Sequence, residues 1–316
     1  MSLDVILGSL GSLFTAMPGN IAQGIIWGIM ALGLFITYKL LDFADLSVDG
    51  SFATGGAVTV VLMIAGYNTG IALLLAFLAG VLAGLATGIL HTLLGIPAIL
   101  SGILTQIALF SVNLNIMDGK SNTPISVDKY NLIISLRHVP QAIIVALVFV
   151  AVIMCLMYWY FGTEMGSAIR ATGTNPSMSK AQGINISLMK VVALSISNGL
   201  VALSGGLFAQ YQGFADINMG RGAIVIGLAA IIIGDVLCKA IFSKKSNFML
   251  TMAFVVIGGI VYYIVIGIVL WLKMPTNNLK MFTAIIVAIF LAVPYLKDKF
   301  NNSFMKAAKR GGKENA

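Results

Sequence analysis

Seven stretches of this sequence are apolar over close to the length a helix needs to cross a bilayer. They are Ile21 to Tyr38, Gly70 to Leu94, Ile96 to Val112, Val139 to Phe161, Val191 to Tyr211, Phe248 to Leu272 and Met281 to Leu296. A hydrocarbon core takes about 20 residues of helix, fewer where a helix is broken or partly buried in protein. A water-soluble fold cannot hide so much apolar surface: hydrophobic types make up 59% of the 316 residues and charged types 9%, where an average soluble domain is about a quarter charged. The 34 glycines suit close helix packing in lipid. The expected fold class is all-α, a polytopic membrane protein. Two shorter glycine-bearing runs, Ser51 to Ala65 and Ala223 to Gly234, follow acidic loops, and a weak run, Val5 to Met17, precedes the first span. Counting the weak run gives ten transmembrane segments; omitting it gives nine.

Several chemistries fall away at once. Cys155 and Cys238 lie far apart in or beside apolar runs, so no disulfide framework is expected. Two histidines, His91 and His138, without paired Cys/His spacing argue against a metal site. The net charge of +8 reads as a topology signal rather than a nucleic-acid surface. With ten segments and both termini inside, 13 of the 19 basic residues fall in inner loops and tail and 6 in outer loops. The tail, 297–316, is therefore placed in the cytoplasm, with its lysines near anionic lipid. The N-terminus, MSLDVILGSL, lacks the basic n-region of a cleavable signal peptide.

The chain also repeats itself. FADLSVDGSFATGG begins at Phe43 and FADINMGRGAIVIG at Phe214, so a shift of 171 superimposes Asp45 on Asp216 and Gly56 on Gly227, and pairs Gly28 with Gly199 in the preceding spans. Five segments separate the copies, an odd number, which puts them on opposite sides: an inverted five-plus-five repeat with two short broken helices. In transporters such segments line the pathway, since irregular backbone survives at membrane depth only beside protein or water. Candidate pathway residues are Asp45, Ser47, Gly56, Asp216, Asn218 and Gly227 from the repeats, with Gln106, Asn113 and Asn198 as polar residues inside spans. For Asp45 and Asp216 capping of the following helix is the alternative role. For the amides it is hydrogen bonding between helices.

The longest inner loop, 162–190, has its own organisation. Glu164 to Thr172 reads as a short helix that Gly173 can end, Asn175-Pro176 makes a turn, and Ser177 to Gln182 forms a second helix stopped by Gly183. Connections usually take about 4 to 6 residues, so this rigid knob suits a docking partner. Its residues Gly166, Ala168, Ile169, Arg170, Ala171, Gly173, Asn175, Pro176, Ala181, Gly183 and Ile184 resemble the cytoplasmic motif of ABC-importer permeases, closest to the branched-chain amino acid and ribose permease family. Asp45-Leu46-Ser47-Val48 resembles the sugar branch and Ile226-Gly227-Leu228-Ala229-Ala230 the amino-acid branch. Asp49 departs from the sugar branch by interrupting the run between Val48 and Gly50, the first copy of the acidic repeat departs from the amino-acid branch, and the mixture resembles a subgroup allied to aromatic amino acid uptake.

The resemblance implies one transmembrane permease domain: an N-terminal segment 1–20, a first repeat 21–138 and a second repeat 139–296. It further implies a non-enzymatic subunit of an ATP-driven importer in the bacterial cytoplasmic membrane, carrying an amino acid or, next, a sugar. Glu164 and Arg170 would contact a separate ATPase holding ATP and Mg, an extracytoplasmic binding protein would deliver solute, and a second permease, identical or related, would complete the pathway. This chain would hold no cofactor of its own. Gly119-Lys120-Ser121 ends like a phosphate-binding loop, but Leu114 stands where such a loop needs glycine. The competing expectation is an ion-coupled secondary transporter of inverted-repeat architecture, with Asp45 and Asp216 as ion sites.

Overall fold

The computed structural model describes residues 3–242 and 247–271 and scattered positions between 281 and 292. Its helices are α1 (Leu3–Phe35), α2 (Val48–Ile64), α3 (Thr69–Thr92), α4 (Ala98–Ile116), α5 (Val139–Gly162), the short α6 (Glu164–Thr174) and α7 (Pro176–Ala181), α8 (Ile186–Gln212), α9 (Ala223–Phe242) and α10 (Phe248–Trp271). Seven of these are long and apolar enough to span a bilayer, and α2 is a shorter apolar helix. The expected span from Met281 to Leu296 lies largely outside the described residues. Two three-residue strands, β1 (Asn122–Pro124) and β2 (Phe214–Asp216), pair antiparallel, an element the all-α expectation did not include.

The run from Val5 to Met17 is not a separate crossing. It is the first half of α1, which continues through Pro18 without a break. The far end of α1 abuts the segment that holds α6 and α7, while Gly19, midway along α1, lies beside the end of α8, where the Tyr211 hydroxyl donates to the Gly19 carbonyl (3.0 Å). Among the described residues this leaves seven long apolar helices and the shorter α2, with Val5 to Met17 not counted apart from α1. Pro18-Gly19-Asn20 reads locally as a turn, yet the adjoining helix carries it.

Helices α1 and α8 form the centre. The Ser197 and Ser204 hydroxyls donate to the Gly33 and Ile26 carbonyls, each at 2.7 Å, tying α8 to α1. Trp27 of α1 stacks on Phe52 of α2 (4.7 Å) and meets Phe208 of α8 edge-on (5.3 Å). Around this centre the two halves pack in matching ways: α3 lies along α8 as α10 lies along α1, and α2 and α9 each sit beside one of the central pair. Small residues make these approaches possible. A Cβ at Gly28 would come within 2.9 Å of Val256 on α10, and one at Gly199, its partner under the 171 shift, within 2.8 Å of Phe77 on α3.

The tightest crossing is α2 on α8, where Gly55 faces the Ala202 backbone and Gly205 faces that of Phe52. A Cβ there meets backbone rather than a movable side chain, so the helices themselves must separate. Gly55→Ala is expected to lower the melting temperature of the detergent-solubilised protein by several degrees; thermal unfolding followed by size-exclusion fluorescence measures it.

Candidate functional site

Between α1 and α2 the chain turns back into the protein. A π-helical turn, Ile36–Leu40, closes α1, and an irregular segment leads from Leu41 to Ser47. Irregular backbone at this depth must be satisfied by protein, and the polar residues here do that. Asp45 Oδ1 accepts from the Ser47 backbone N–H (2.9 Å) and hydroxyl (2.5 Å), while Oδ2 accepts from Asn198 Nδ2 (2.7 Å). Asn198 Oδ1 in turn accepts from the Ser51 hydroxyl at 2.6 Å. Asn198 lies twelve residues after the first of α8 and fourteen before its last, so at about 1.5 Å per residue the cluster sits near mid-membrane. Asp45, Ser47, Ser51 and Asn198 are all at most 1% exposed. They form a closed internal network that anchors the start of α2.

The second copy repeats the local geometry. Asp216 Oδ1 accepts from the backbone N–H of Asn218 (2.7 Å), as Asp45 does from Ser47 two residues on. Its setting differs, because Asp216 is half-buried at the end of β2, with Asn122 Nδ2 at 3.5 Å. The shift of 171 also maps Asp49 onto Gly220, and in the fold these two positions meet: the Asp49 backbone fills the space a side chain at 220 would need. The Asp49 carboxylate accepts from the backbone N–H groups of Gly222 and Ile224, both at 2.9 Å. It therefore caps α9 across the repeat boundary, where the free N–H groups and the helix dipole favour an anion.

Beside this junction is a cavity of about 390 Å³ lined by Asp49, Gly50, Ala53, Gln106, Ile107, Phe110, Ser111, Asn113, Ile217 and Arg221. Of the nine candidate pathway residues, Gln106 and Asn113 line it. Asp45, Ser47 and Asn198 are in the closed network. Gly56 packs toward Met219, Gly227 toward Leu34 and Met30, and Asp216 and Asn218 belong to the outer turn. Asp49, Ser111 and Arg221 were not among the candidates. The signal for Asp49 was present in its interruption of the run between Val48 and Gly50.

At one end of the helix bundle α6 and α7 form the knob. Asn175 Oδ1 accepts from the Met178 N–H (3.0 Å) to start α7, and Asn185 Oδ1 accepts from the Leu188 N–H (3.1 Å) to start α8. Thr163 plays the same part for α6, through Gly166 N–H at 3.4 Å. Gly173 does not end α6, which runs on to Thr174. Its lack of a side chain instead lets the knob press on the backbone of Leu40 and Leu41, at the root of the inward-turning segment. Gly166 abuts Phe161 in the same manner, and Gly183 turns the chain with φ +82°. Glu164, Met165, Arg170, Asn175, Pro176, Met178, Lys180 and Ala181 are exposed, while Gly166, Ile169 and Thr172 face inward and Ala171 is half-buried.

Seven helices long and apolar enough to span a bilayer, among the described residues, make this a multi-pass membrane protein, and its relatives are permeases of the ABC transport class. The chain belongs to the family described as branched-chain amino acid transport system, permease component, whose model matches residues 17–294. It is 41% identical over 274 residues to the tyrosine transport system permease protein of Clostridioides difficile, covering 85% of this chain and 88% of that one. It is 33% identical to the uncharacterized protein RP368 of Rickettsia prowazekii, covering 85% and 94% respectively. It is 28% identical to the D-allose transport system permease protein AlsC of Escherichia coli, covering 81% and 77%. No solved structure matches it.

Proposed function

We propose that the protein is the transmembrane subunit of an ATP-driven amino acid importer, moved by a separate ATPase that docks on the knob at 162–190. The observation that carries this reading is the seating of Gly173 on Leu40 and Leu41. A force on the knob reaches the end of α1, then the segment leading to Asp45, and then α2, which lines the cavity through Asp49, Gly50 and Ala53. ATP and Mg belong to the partner, whose binding energy must differ between two states of the permease to shift them. Arg170, Met165 and Met178 offer that partner a cation and two exposed, adaptable apolar side chains. Solute would arrive from an extracytoplasmic binding protein at the outer loop, whose backbone is pinned by Gln210 Oε1 accepting from Ile133 N–H (3.2 Å) and the Thr69 hydroxyl donating to Asn131 O (2.6 Å). A second permease, identical or related, would complete the pathway within the lipid. The amino acid assignment is supported by the tyrosine system relative at 41% identity.

The test is purification of the tagged protein from mild detergent with its neighbours identified by mass spectrometry. A nucleotide-binding ATPase is expected with the wild type, and at least tenfold less of it with Arg170→Glu at equal permease recovery. Equal recovery of the ATPase with Arg170→Glu would remove Arg170 from the docking surface, and its absence from the wild type would defeat the importer reading.

A further inference from the structure

Three features of the cavity beside the repeat junction concern charge and hydrogen bonding that the fold does not use up. Asn113 is 1% exposed and its Oδ1 has no hydrogen-bond partner among the described residues, although leaving a buried acceptor unpaired is unfavourable. Its Nδ2 already donates, at 3.5 Å, to the Gly50 carbonyl on the facing helix, so the amide is held in place with its acceptor spare. The Asp49 carboxylate accepts from the N–H groups of Gly222 and Ile224, with that of Ala223 also directed at it, and a carboxylate has about four acceptor sites. Arg221 precedes Gly222, whose N–H Asp49 accepts, yet Asp49 and Arg221 do not form an ion pair; the ion pairs among the described residues are Lys39–Asp235, Lys239–Asp235 and Arg137–Asp128. An anion and a cation thus line the same cavity, unpaired with each other.

We infer that this cavity is a transit subsite for the zwitterionic head of an α-amino acid. Asp49 and Asn113 Oδ1 accept from the ammonium, Arg221 donates to the carboxylate, and Ile107, Phe110 and Ile217 face the side chain. The inference rests on the importer reading above and adds to it the place and the chemistry of recognition. The volume, about 390 Å³, is within the range of small-molecule sites, roughly 300–1,000 Å³, that combine apolar walls with a few placed polar groups. A sugar has neither charge: it would leave Arg221 unanswered and bury its hydroxyls against Ile107 and Phe110. The cavity is built from α2, α4 and the turn before α9, so the cap that fixes α9 and the group that reads the ammonium are the same carboxylate. Movement of α2 then changes affinity for the solute directly.

The experiment uses the full permease–ATPase complex in lipid nanodiscs, with Cys155 and Cys238, the two native thiols, replaced by alanine. Ser111→Cys, and independently Ile107→Cys, places a thiol on the cavity wall for a methanethiosulfonate reagent. The probe is an equimolar mixture of the nineteen L-amino acids other than cysteine, whose thiol would consume the reagent, with 1-aminobutane, butyrate and D-ribose as separate controls. The expected result is at least fivefold slower labelling with the amino acid mixture and no slowing with any control. Adding Arg221→Gln or Asn113→Leu should abolish the protection. Equal protection by D-ribose or by either singly charged control would overturn the zwitterion assignment. No protection at either thiol, in complexes that import the same labelled mixture with ATP, would overturn the subsite while leaving the importer reading standing. Absence of ATP-dependent import of the mixture would defeat the importer reading and the subsite with it.

Discussion

Asn198→Leu is expected to be the most damaging single substitution in the membrane core. It removes the donor to Asp45 Oδ2 and the acceptor for the Ser47 and Ser51 hydroxyls in one step. The carboxylate would remain 1% exposed with one of its three hydrogen bonds gone. Leaving a buried polar group without its partner costs about 1–3 kcal/mol, and more for a charged one, a large share of the roughly 5–15 kcal/mol that holds a typical protein folded. The protein should fail to accumulate, or should melt more than 10 °C below wild type in detergent. The exchange Asp45→Asn with Asn198→Asp keeps one carboxylate and one amide in the same pocket, and it should recover most of the loss. Normal melting of Asn198→Leu would mean that Asp45 is not bound up in the network, and would return it to consideration as an ion site.

Gly173→Leu should separate docking from transmission. The side chain would enter the backbone of Leu40 and Leu41, so the knob must lift from the end of α1. The outward face with Met165, Arg170 and Met178 is untouched, and the ATPase should still co-purify. Uptake into proteoliposomes should fall at least tenfold, because the knob's movement no longer reaches the segment leading to α2. Gly173→Ala should fall between wild type and leucine. Loss of the ATPase together with uptake would show that Gly173 supports docking and not the link to α1.

The sequence made the spans, the cytoplasmic loop and the repeat legible because each rests on local pattern. Apolar runs of bilayer length, a long inner loop with its own capping residues and a shift that superimposes Asp45 on Asp216 need no knowledge of packing. The N-terminal crossing was not legible, for two reasons. Pro18-Gly19-Asn20 carries a turn signal that the helix absorbs, and the first basic residue is Lys39, so charge placed no constraint on the start of α1. The pathway residues were harder still. Polarity inside a span marks Asn198 and Asn113 alike, but Asn198 is consumed by Asp45 on a segment 153 residues away, while Asn113 keeps a free acceptor. Only the tertiary arrangement distinguishes them. Asp49 stands out as a break in the run between Val48 and Gly50, but its capping of α9 is a contact with residues 173 and 175 positions away. Gly173 was read as a helix stop because glycine often is one; its close approach to Leu40 is a long-range contact that no local rule contains.

The most direct test of the central claim is uptake of the labelled amino acid mixture into proteoliposomes containing the permease, its co-purified ATPase and the binding protein. ATP is placed on the side of the knob, and proton and sodium gradients are imposed in separate arms. The account predicts accumulation with ATP in the absence of any ion gradient, loss of accumulation when a non-hydrolysable analogue replaces ATP, and no accumulation from either gradient alone. Accumulation driven by a gradient without ATP would contradict it.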